Sequence, residues 1–292
     1  MKNSQSSAAT QISNNNAEQP TITIIEANSK KSLIYDLTEL WSYRELFFTM
    51  ALRNIKVRYK QSVLGILWVI VQPIVTCLVF TFVFGYIIKI HTGKTPYPVF
   101  VFSGLLLWQF FTRNLTEGVA SLVSHSNFIN KVYFPRIGIP LIGILSSTMD
   151  FILALFVLFV LMLWFHVAFH WQLIFVPVIL LFTFALSYSA TLIFAPLNAI
   201  YRDIGLMIGY CIQFLMYLSP VIYPVSFIPH KYQWLYDFNP VATLLNAMRW
   251  ALIGTTPPSN YTIGILCITT FLCFIAGRKI FRTLEPTIVD RI

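Results

Sequence analysis

The sequence Arg53-Asn-Ile-Lys-Val-Arg-Tyr-Lys60 is followed by Gln61-Ser-Val-Leu-Gly65 and then by a long run without charge. No charged residue occurs between Lys60 and Lys89, and most residues in that interval are Val, Ile, Leu and Phe. A helix of about 20 apolar residues crosses the roughly 30 Å hydrocarbon core of a bilayer. We therefore expect the chain to enter a membrane here from its basic side, which the positive-inside bias identifies as the cytosol.

The composition is that of an integral membrane protein. Of the 292 residues, 57% are hydrophobic and 11% are charged, against roughly 25% charged residues in soluble domains. The 20 Lys and Arg residues outnumber the 11 Asp and Glu residues. We assign this excess to cytosolic loops beside anionic headgroups, and expect no nucleic-acid partner. The four cysteines lie in apolar runs without metal-binding spacing, so we expect neither a disulfide framework nor a zinc site.

The hydropathy pattern predicts an all-α membrane protein with six transmembrane helices. Residues 1–37 are polar and lack the apolar core of a signal peptide, so we expect a disordered cytosolic tail. Residues 38–60 show the periodicity of an amphipathic helix lying in the membrane interface, although packing on a soluble domain is the alternative. Residues 61–282 form the predicted transmembrane domain, with spans near 62–88, 97–123, 137–164, 172–199, 205–221 and 262–276. Residues 283–292 form a predicted cytosolic C-terminal tail, because most cations then fall on the cytosolic side.

Three charged residues lie inside predicted spans. Arg113 and Glu117 are one helical turn apart, and a charge in a bilayer must be paired or in contact with water. We expect a structural ion pair between them near the cytosolic edge, with a role in transport as the alternative. Asp150 is the single acid of the third span, and its distance in sequence from Glu117 indicates no carboxylate pair. The sequence has no phosphate-cradling loop, zinc-protease motif or nucleophile elbow, so we expect neither catalysis nor a cofactor in this chain.

Two further segments have distinctive patterns. The coupling segment, residues 124–136, is too polar for lipid and predicts a short amphipathic helix that stops near Pro135. Its aromatic residues indicate a surface covered by another protein, with a solvated loop as the alternative. The outer segment, residues 223–261, predicts short helices over 230–238 and 241–253 that cannot span a bilayer. Asn239-Pro240 supplies an N-cap and a first-turn proline, and Gly254 ends the second helix. The two helices could enter the outer leaflet as a re-entrant hairpin, which would place Arg249 near the mouth of a pathway.

The ordered motifs resemble a known family. They are Tyr43-Arg-Glu-Leu46, Arg53 to Gly65, Trp68, Gln72-Pro73, Phe128-Ile-Asn-Lys-Val-Tyr-Phe-Pro-Arg136, Tyr201-Arg-Asp203, Ser219-Pro-Val-Ile-Tyr-Pro224 and Asn239-Pro240. This order is similar to that in membrane subunits of bacterial polysaccharide ABC exporters, the ABC-2 type permeases that move O-antigen, teichoic acid and similar lipid-linked glycans. The resemblance covers residues 40–282.

The resemblance implies a homodimer of six-helix subunits in the bacterial inner membrane, with both termini cytosolic. It also implies two copies of a separate ATPase, which binds ATP and Mg. On this view the coupling helix that docks on the ATPase includes Ser126, Asn127, Phe128, Lys131, Tyr133, Phe134, Pro135 and Arg136. The outer gate would include Tyr223, Pro224, Asn239, Pro240 and Arg249.

A glycan path needs walls on which sugars can slide, and aromatic rings can stack on the apolar faces of sugars. Candidate lining residues are Phe82, Phe84, Trp108, Phe110, Phe111, Phe214 and Tyr217, with lipid-facing or core packing as the alternative for each. The basic residues Arg53, Lys56, Arg58 and Lys60 could receive the diphosphate of a polyprenyl-linked substrate, or anchor to headgroups.

Two other function classes are compatible with parts of this pattern. An ABC-2 exporter of drugs or other lipids shares the architecture, and the motif set argues against it. A membrane-embedded glycosyltransferase would need acids on the outer loops, where Asp237 is the one acid.

Overall fold

The computed structural model describes residues 33–60, 65, 67–93, 95–129 and 134–291, and every regular element within these ranges is helical. The all-α prediction is therefore confirmed for this part of the chain. Most of the predicted N-terminal tail, and Lys131 and Tyr133 of the coupling segment, lie outside the described residues.

The predicted interface helix consists of two helices, α1 (Leu33–Ser42) and α2 (Arg44–Lys60). They are separated only at Tyr43, whose N–H donates to Glu39 O at 3.2 Å and whose carbonyl accepts from Phe47 N at 3.1 Å. Because these bonds keep the helical repeat across the junction, the two helices follow one another closely. Helix α1 begins at Leu33, so the last five residues of the predicted N-terminal tail, 33–37, are helical.

The rest of the described chain forms α-helices that range from 4 to 32 residues in length. These are α3 (Leu67–Phe80), which continues as a π-helix over Thr81–Ile87, α4 (Tyr97–Ser124), α5 (Ser126–Ile129), α6 (Ile139–Trp164), α7 (Val176–Ile200), α8 (Asp203–Leu218), α9 (His230–Asp237), α10 (Pro240–Ile253) and α11 (Asn260–Arg291). The helices α4, α6, α7 and α10 each have a proline in their first turn, where a missing N–H leaves no intrahelical bond unmade.

Among the described residues, four segments have both the length and the hydropathy of a membrane span: Leu67–Ile87, Arg136–Trp164, Trp171–Ile200 and Asn260–Ile288. The second predicted span, α4, has 28 residues and is about 42 Å long at 1.5 Å per residue, but its polar residues reduce its hydropathy. The fifth, α8, has 16 residues, fewer than a span requires. The protein is a multi-pass membrane protein, and the count of six spans stays a prediction.

Helix α4 lies at the centre of the fold. It packs against α6 and α7 most extensively, and also against α3, α8 and α10. Every residue from Val99 to Trp108 is buried. Because neighbouring helices surround α4, its polar residues are largely shielded from lipid.

The C-terminal helix α11 runs to Arg291, so the segment predicted as a separate tail from residue 283 continues the last long helix. Asp36 of α1, which is 3% exposed, accepts hydrogen bonds from Arg278 Nε at 2.8 Å and from Arg282. Glu285 pairs with Arg282 at 2.7 Å and with Arg136 at 3.8 Å. These ion pairs hold α11 in register against α1 and against the end of the coupling segment, beyond the apolar run that the sequence pattern detected.

Helix α10 begins and ends as its caps predict. The Oδ1 atom of Asn239 accepts from Val241 N at 3.0 Å and from Ala242 N at 3.3 Å. Gly254 has a φ of +66° and its N–H donates to Trp250 O at 3.2 Å, a left-handed C-cap that glycine adopts without strain. Most of α10 is buried against α4 and α7, whereas α9 has no buried residue.

Candidate functional site

A cluster of charged side chains joins three helices where α2 approaches the transmembrane helices. Arg58 of α2 donates to Asp150 Oδ2 of α6 at 2.9 Å and to Glu117 Oε1 of α4 at 2.5 Å. Arg113 and the Tyr59 hydroxyl also donate to Asp150, which is 8% exposed. We call these five residues the charge cluster. Its two cations balance its two carboxylates, so the charges are paired as a membrane protein requires.

The pairing differs from the one that the sequence pattern predicted. Arg113 pairs with Asp150 and Glu117 pairs with Arg58, so the expected Arg113–Glu117 ion pair is not the one formed. Helices α4 and α6 pack closely, with Ser147 donating to Asn114 Oδ1, and this brings Asp150 within reach of Arg113. Arg113 and Glu117 have the one-turn spacing at which side chains on a helix can pair. Asp150 on the neighbouring helix α6 is nevertheless the partner of Arg113, and it is more buried than Glu117.

Arg58 is distinct from the basic residues around it. Burial alone lowers the pKa of the Arg58 guanidinium, but attraction to Glu117 and then Asp150 outweighs it and raises the pKa above its ordinary value. Burial and the hydrogen bond to Asp150 raise the pKa of Tyr59 to about 12. At physiological pH, Arg58 is therefore a cation held by two carboxylates and Tyr59 is a neutral donor.

The other cations of α2 have no such partners in the cluster. Arg53, Lys56 and Lys60 are exposed, and the guanidinium of Arg53 lies 5.3 Å from the ring centre of Phe128. Of the four residues predicted to receive a diphosphate, these three have accessible charges, whereas the charge of Arg58 is already neutralised.

An open polar cleft of about 330 Å³ lies beside the charge cluster. It is lined by Arg58, Gln72, Trp108, Gln109, Thr112, Arg113, Thr116 and Glu117. A smaller cavity of about 20 Å³ shares Gln72, Gln109 and Arg113 with the cleft and reaches Asp150. Its size suits about one water molecule.

The aromatic residues predicted to line a path fall into two groups. Phe82, Phe214 and Tyr217 are exposed on the subunit and Phe84 is half-buried. Phe110 and Phe111 are 4% and 5% exposed and belong to the hydrophobic core of the subunit, and a path-lining role for them stays a prediction. Trp108 is also buried, although part of it reaches the polar cleft.

The coupling segment is described only at its two ends. Ser126, Asn127 and Phe128 lie in or beside the short helix α5. Phe134 and Pro135 are buried, and Phe134 packs edge-on against Phe47 of α2 at 6.4 Å. These contacts attach the segment to α2, while docking on another protein stays a prediction.

Arg249, predicted near the mouth of a pathway, is instead enclosed within the subunit. Its Nη1 and Nη2 atoms donate to Pro220 O and Val221 O, each at 2.6 Å, and its guanidinium lies 3.9 Å from the ring centre of Phe100. Gly104 makes room for it, because a Cβ atom there would lie 2.6 Å from Nη2. Arg249 therefore ties the turn after α8 to α10 and α4.

The other residues predicted for the outer gate also stabilise this region. The Tyr223 hydroxyl donates to Tyr217 O at 2.7 Å and lies 2.9 Å from the Tyr236 hydroxyl. Asn239 Nδ2 donates to Ser219 Oγ at 3.0 Å, while Pro224 and Pro240 begin the turn and helix that follow them. A gating role for these residues stays a prediction.

The fold and the paired charges are those of a multi-pass helical membrane protein with an open polar cleft on one side. Residues 45–253 match the family described as ABC-2 type transporter, and the chain belongs to that family.

Three similar proteins are named for the export or transport of a polysaccharide. The chain is 28% identical over 244 residues to the O-antigen export system permease protein RfbA of Klebsiella pneumoniae. This alignment covers 82% of the chain and 92% of the relative. It is 24% identical over 256 residues to the RfbA protein of Myxococcus xanthus, with 87% and 98% covered. It is 23% identical over 243 residues to the polysialic acid transport protein KpsM of Escherichia coli, with 82% and 93% covered. The resemblance to polysaccharide-export permeases is thereby confirmed.

Proposed function

We propose that the chain is the transmembrane subunit of an ATP-driven exporter that moves a lipid-linked polysaccharide across the bacterial inner membrane. The relatives named for O-antigen export and polysialic acid transport align over nearly their whole length. The structural observation that carries the proposal is the polar cleft, because Gln72 and Thr116 are exposed on long membrane helices. Such groups are costly against lipid and suit a path that contains water and sugar hydroxyls.

Two copies of the chain are needed to enclose such a path. The cleft is open on the single subunit, and a second subunit facing it would separate the polar residues from lipid. The exposed rings of Phe214 and Tyr217 on α8 and of Phe82 would add surfaces on which sugars can slide.

ATP hydrolysis belongs to a separate subunit in this proposal. The sequence has no phosphate-cradling loop, and ATP and Mg would be bound by two copies of a partner ATPase. The coupling segment would receive the motion of that ATPase, with both termini on the same cytosolic side. Its attachment to Phe47 of α2 through Phe134 would transmit that motion along α2, which also carries Arg58 and Tyr59 of the charge cluster.

The lipid carrier would bind near the exposed cations of α2. Arg53, Lys56 and Lys60 can attract a polyprenyl diphosphate at the inner leaflet. Arg58 has a different role in this proposal, since its charge is shared between Glu117 and Asp150.

A deletion of the gene in its host tests the proposal. We expect loss of surface glycan, accumulation of lipid-linked glycan on the cytosolic side, and restoration by a plasmid copy. Normal surface glycan with altered export of a drug or another lipid would instead support the alternative ABC-2 substrate classes.

A further inference from the structure

The polar cleft has a periodic wall on α4. Gln109, Thr112 and Thr116 recur at three- and four-residue steps, and Gln72 faces them from α3. Gln109 and Thr112 are half-buried, and the Thr112 hydroxyl oxygen is buried without a hydrogen-bond partner among the described residues. The accessible polar groups are therefore those of exposed Gln72 and Thr116 and half-buried Gln109, on helices where a membrane span normally presents apolar side chains.

The charges around the cleft nearly cancel, so the cleft attracts an anion only weakly. Arg58 and Arg113 line the cleft, but both are paired with the carboxylates of Glu117 and Asp150. A diphosphate entering here would have to compete with two carboxylates already in place. A neutral ligand with many hydroxyl groups would meet no such competition.

The size and chemistry of the cleft suit a small part of a glycan. Its volume of about 330 Å³ lies at the low end of the roughly 300–1,000 Å³ range of ligand pockets. Side-chain amides both donate and accept hydrogen bonds, as sugar hydroxyls do. The reachable part of Trp108 adds an apolar surface at one side of the cleft.

We propose that the polar cleft is a binding subsite for an uncharged sugar unit of the exported glycan, held by Gln72, Gln109 and Thr116. This inference rests on the proposed function and adds to it a specific place of contact. It separates the two ends of the substrate, because the diphosphate stays with the exposed cations of α2 while a sugar unit occupies the cleft.

Substitutions in the cleft test the subsite. Gln109→Met keeps the side-chain size but removes both polar atoms, and we expect export at equal protein abundance to fall about fivefold for one lost hydrogen bond. Gln109→Asn keeps the amide and should recover part of that loss. Unchanged export in Gln109→Met and in the double variant with Gln72→Met would overturn the proposal.

Two threonines provide a matched control. Thr116 Oγ1 donates to Thr112 O at 2.9 Å and to Arg113 O at 3.2 Å, while Thr269 Oγ1 on α11 donates to Ile265 O at 2.8 Å and to Leu266 O at 3.1 Å. Because both hydroxyls make the same bonds within their own helix, Thr116→Val and Thr269→Val remove equivalent local interactions. We expect lower export for Thr116→Val only, and equal effects would argue against the subsite.

Thiol labelling then reports occupancy in the assembled exporter. A Thr116→Cys chain is treated with N-ethylmaleimide in cells that make the glycan and in cells that lack its first sugar transferase. The four native cysteines are replaced by Ala in this chain and in a Glu45→Cys control, whose side-chain position on α2 is 89% exposed. We expect slower labelling of the Thr116→Cys thiol in the glycan-producing cells, while the Glu45→Cys thiol labels equally in both.

The possible results separate the subsite from the proposed function. Equal labelling in the two strains, or no labelling in either because a second copy fills the cleft, would overturn the subsite while export itself continues. If the wild-type chain fails to restore surface glycan to the deletion strain, the proposed function fails first.

Discussion

Arg58 Nη1 lies 2.9 Å from Asp150 Oδ2, and the two residues are 92 positions apart in the sequence. This contact joins α2, which precedes the first long span, to α6 in the interior of the fold. The sequence pattern predicts that α2 lies in the membrane interface. In the structure, the carboxylate of Asp150 also holds α2 against the interior helices.

Asp150→Asn should destabilise the protein. It removes the carboxylate that Arg58 and Arg113 share. Removal of one partner from a fully buried ion pair costs about 3–5 kcal/mol, and we expect less here because Arg58 and Arg113 are 33% and 30% exposed and Arg58 keeps Glu117. We expect a lower thermal unfolding midpoint for the purified protein in detergent. Asp203→Asn is the control, because Asp203 is exposed at the start of α8. Equal midpoints for the two variants would contradict the structural role of Asp150.

Arg58→Gln and Lys56→Gln should separate two roles of the basic segment. Each variant removes one positive charge, but only Arg58 bridges Glu117 and Asp150. We expect Arg58→Gln to lower the thermal midpoint, whereas Lys56→Gln should change it little and act on substrate binding alone. Equal loss of stability in both variants would mean that Lys56 has contacts equivalent to those of Arg58.

Gly104→Ala should disturb the outer region. The added Cβ would lie 2.6 Å from Arg249 Nη2 and 2.8 Å from Val221 O, and forcing an atom into a packed site costs about 1–3 kcal/mol. Gly264→Ala on α11 is the matched control, because a Cβ there meets no atom of the described residues within 4 Å. The thermal midpoint should fall only for Gly104→Ala. An unchanged midpoint in that variant would contradict the close packing of Arg249 against Gly104.

Asp36→Asn should loosen α1 from α11. Arg278 and Arg282 both bond to this carboxylate, which is almost completely buried. We expect limited proteolysis to cleave near α1 more rapidly in the variant. Glu45→Gln provides the comparison, since the Glu45 side chain is 89% exposed. Identical digestion of Asp36→Asn and wild-type protein would argue that α1 is held by other contacts.

Charge reversal in the coupling segment should uncouple ATP hydrolysis. Lys131→Glu combined with Arg136→Glu is expected to abolish glycan-stimulated hydrolysis by the partner ATPase. Because Arg136 also pairs with Glu285 at 3.8 Å, Glu285→Gln is the control: it loses the same ion pair but keeps both cations of the segment, and we expect it to keep coupling. Full coupling in the Lys131→Glu, Arg136→Glu chain would contradict the proposal that the coupling segment docks on the ATPase.

Elements with local signals could be predicted from the sequence. The bounds of α10 follow from Asn239, Pro240 and Gly254, because capping and the left-handed C-cap depend on neighbouring backbone groups alone. The long apolar helices follow from uninterrupted hydrophobic runs. The continuation of α11 beyond residue 283 could not be predicted from hydropathy, because ion pairs to the distant residues Asp36 and Arg136 attach this part of the helix to the fold.

The candidate site depended on contacts that no local pattern contains. The role of Arg58 needed Asp150 and Glu117 from two other helices, and its place in a basic segment suggested headgroups instead. Phe110 and Phe111 were candidates for path lining because aromatic residues facing lipid, sugar or core look alike in sequence. The wall of Gln109, Thr112 and Thr116 did have a periodic signal on α4, and a search for polar residues at helical spacing inside a span would have found it.

Reconstitution tests whether the chain forms the transport path and a separate subunit supplies the ATP hydrolysis. The chain, the ATPase subunit that purifies with it and lipid-linked glycan from the host are placed together in sealed vesicles, and the glycan that becomes accessible on the far side is measured. We predict movement that needs both proteins and ATP, with no ATP hydrolysis by the chain alone. Hydrolysis by the isolated chain, or glycan movement without the ATPase, would contradict the account.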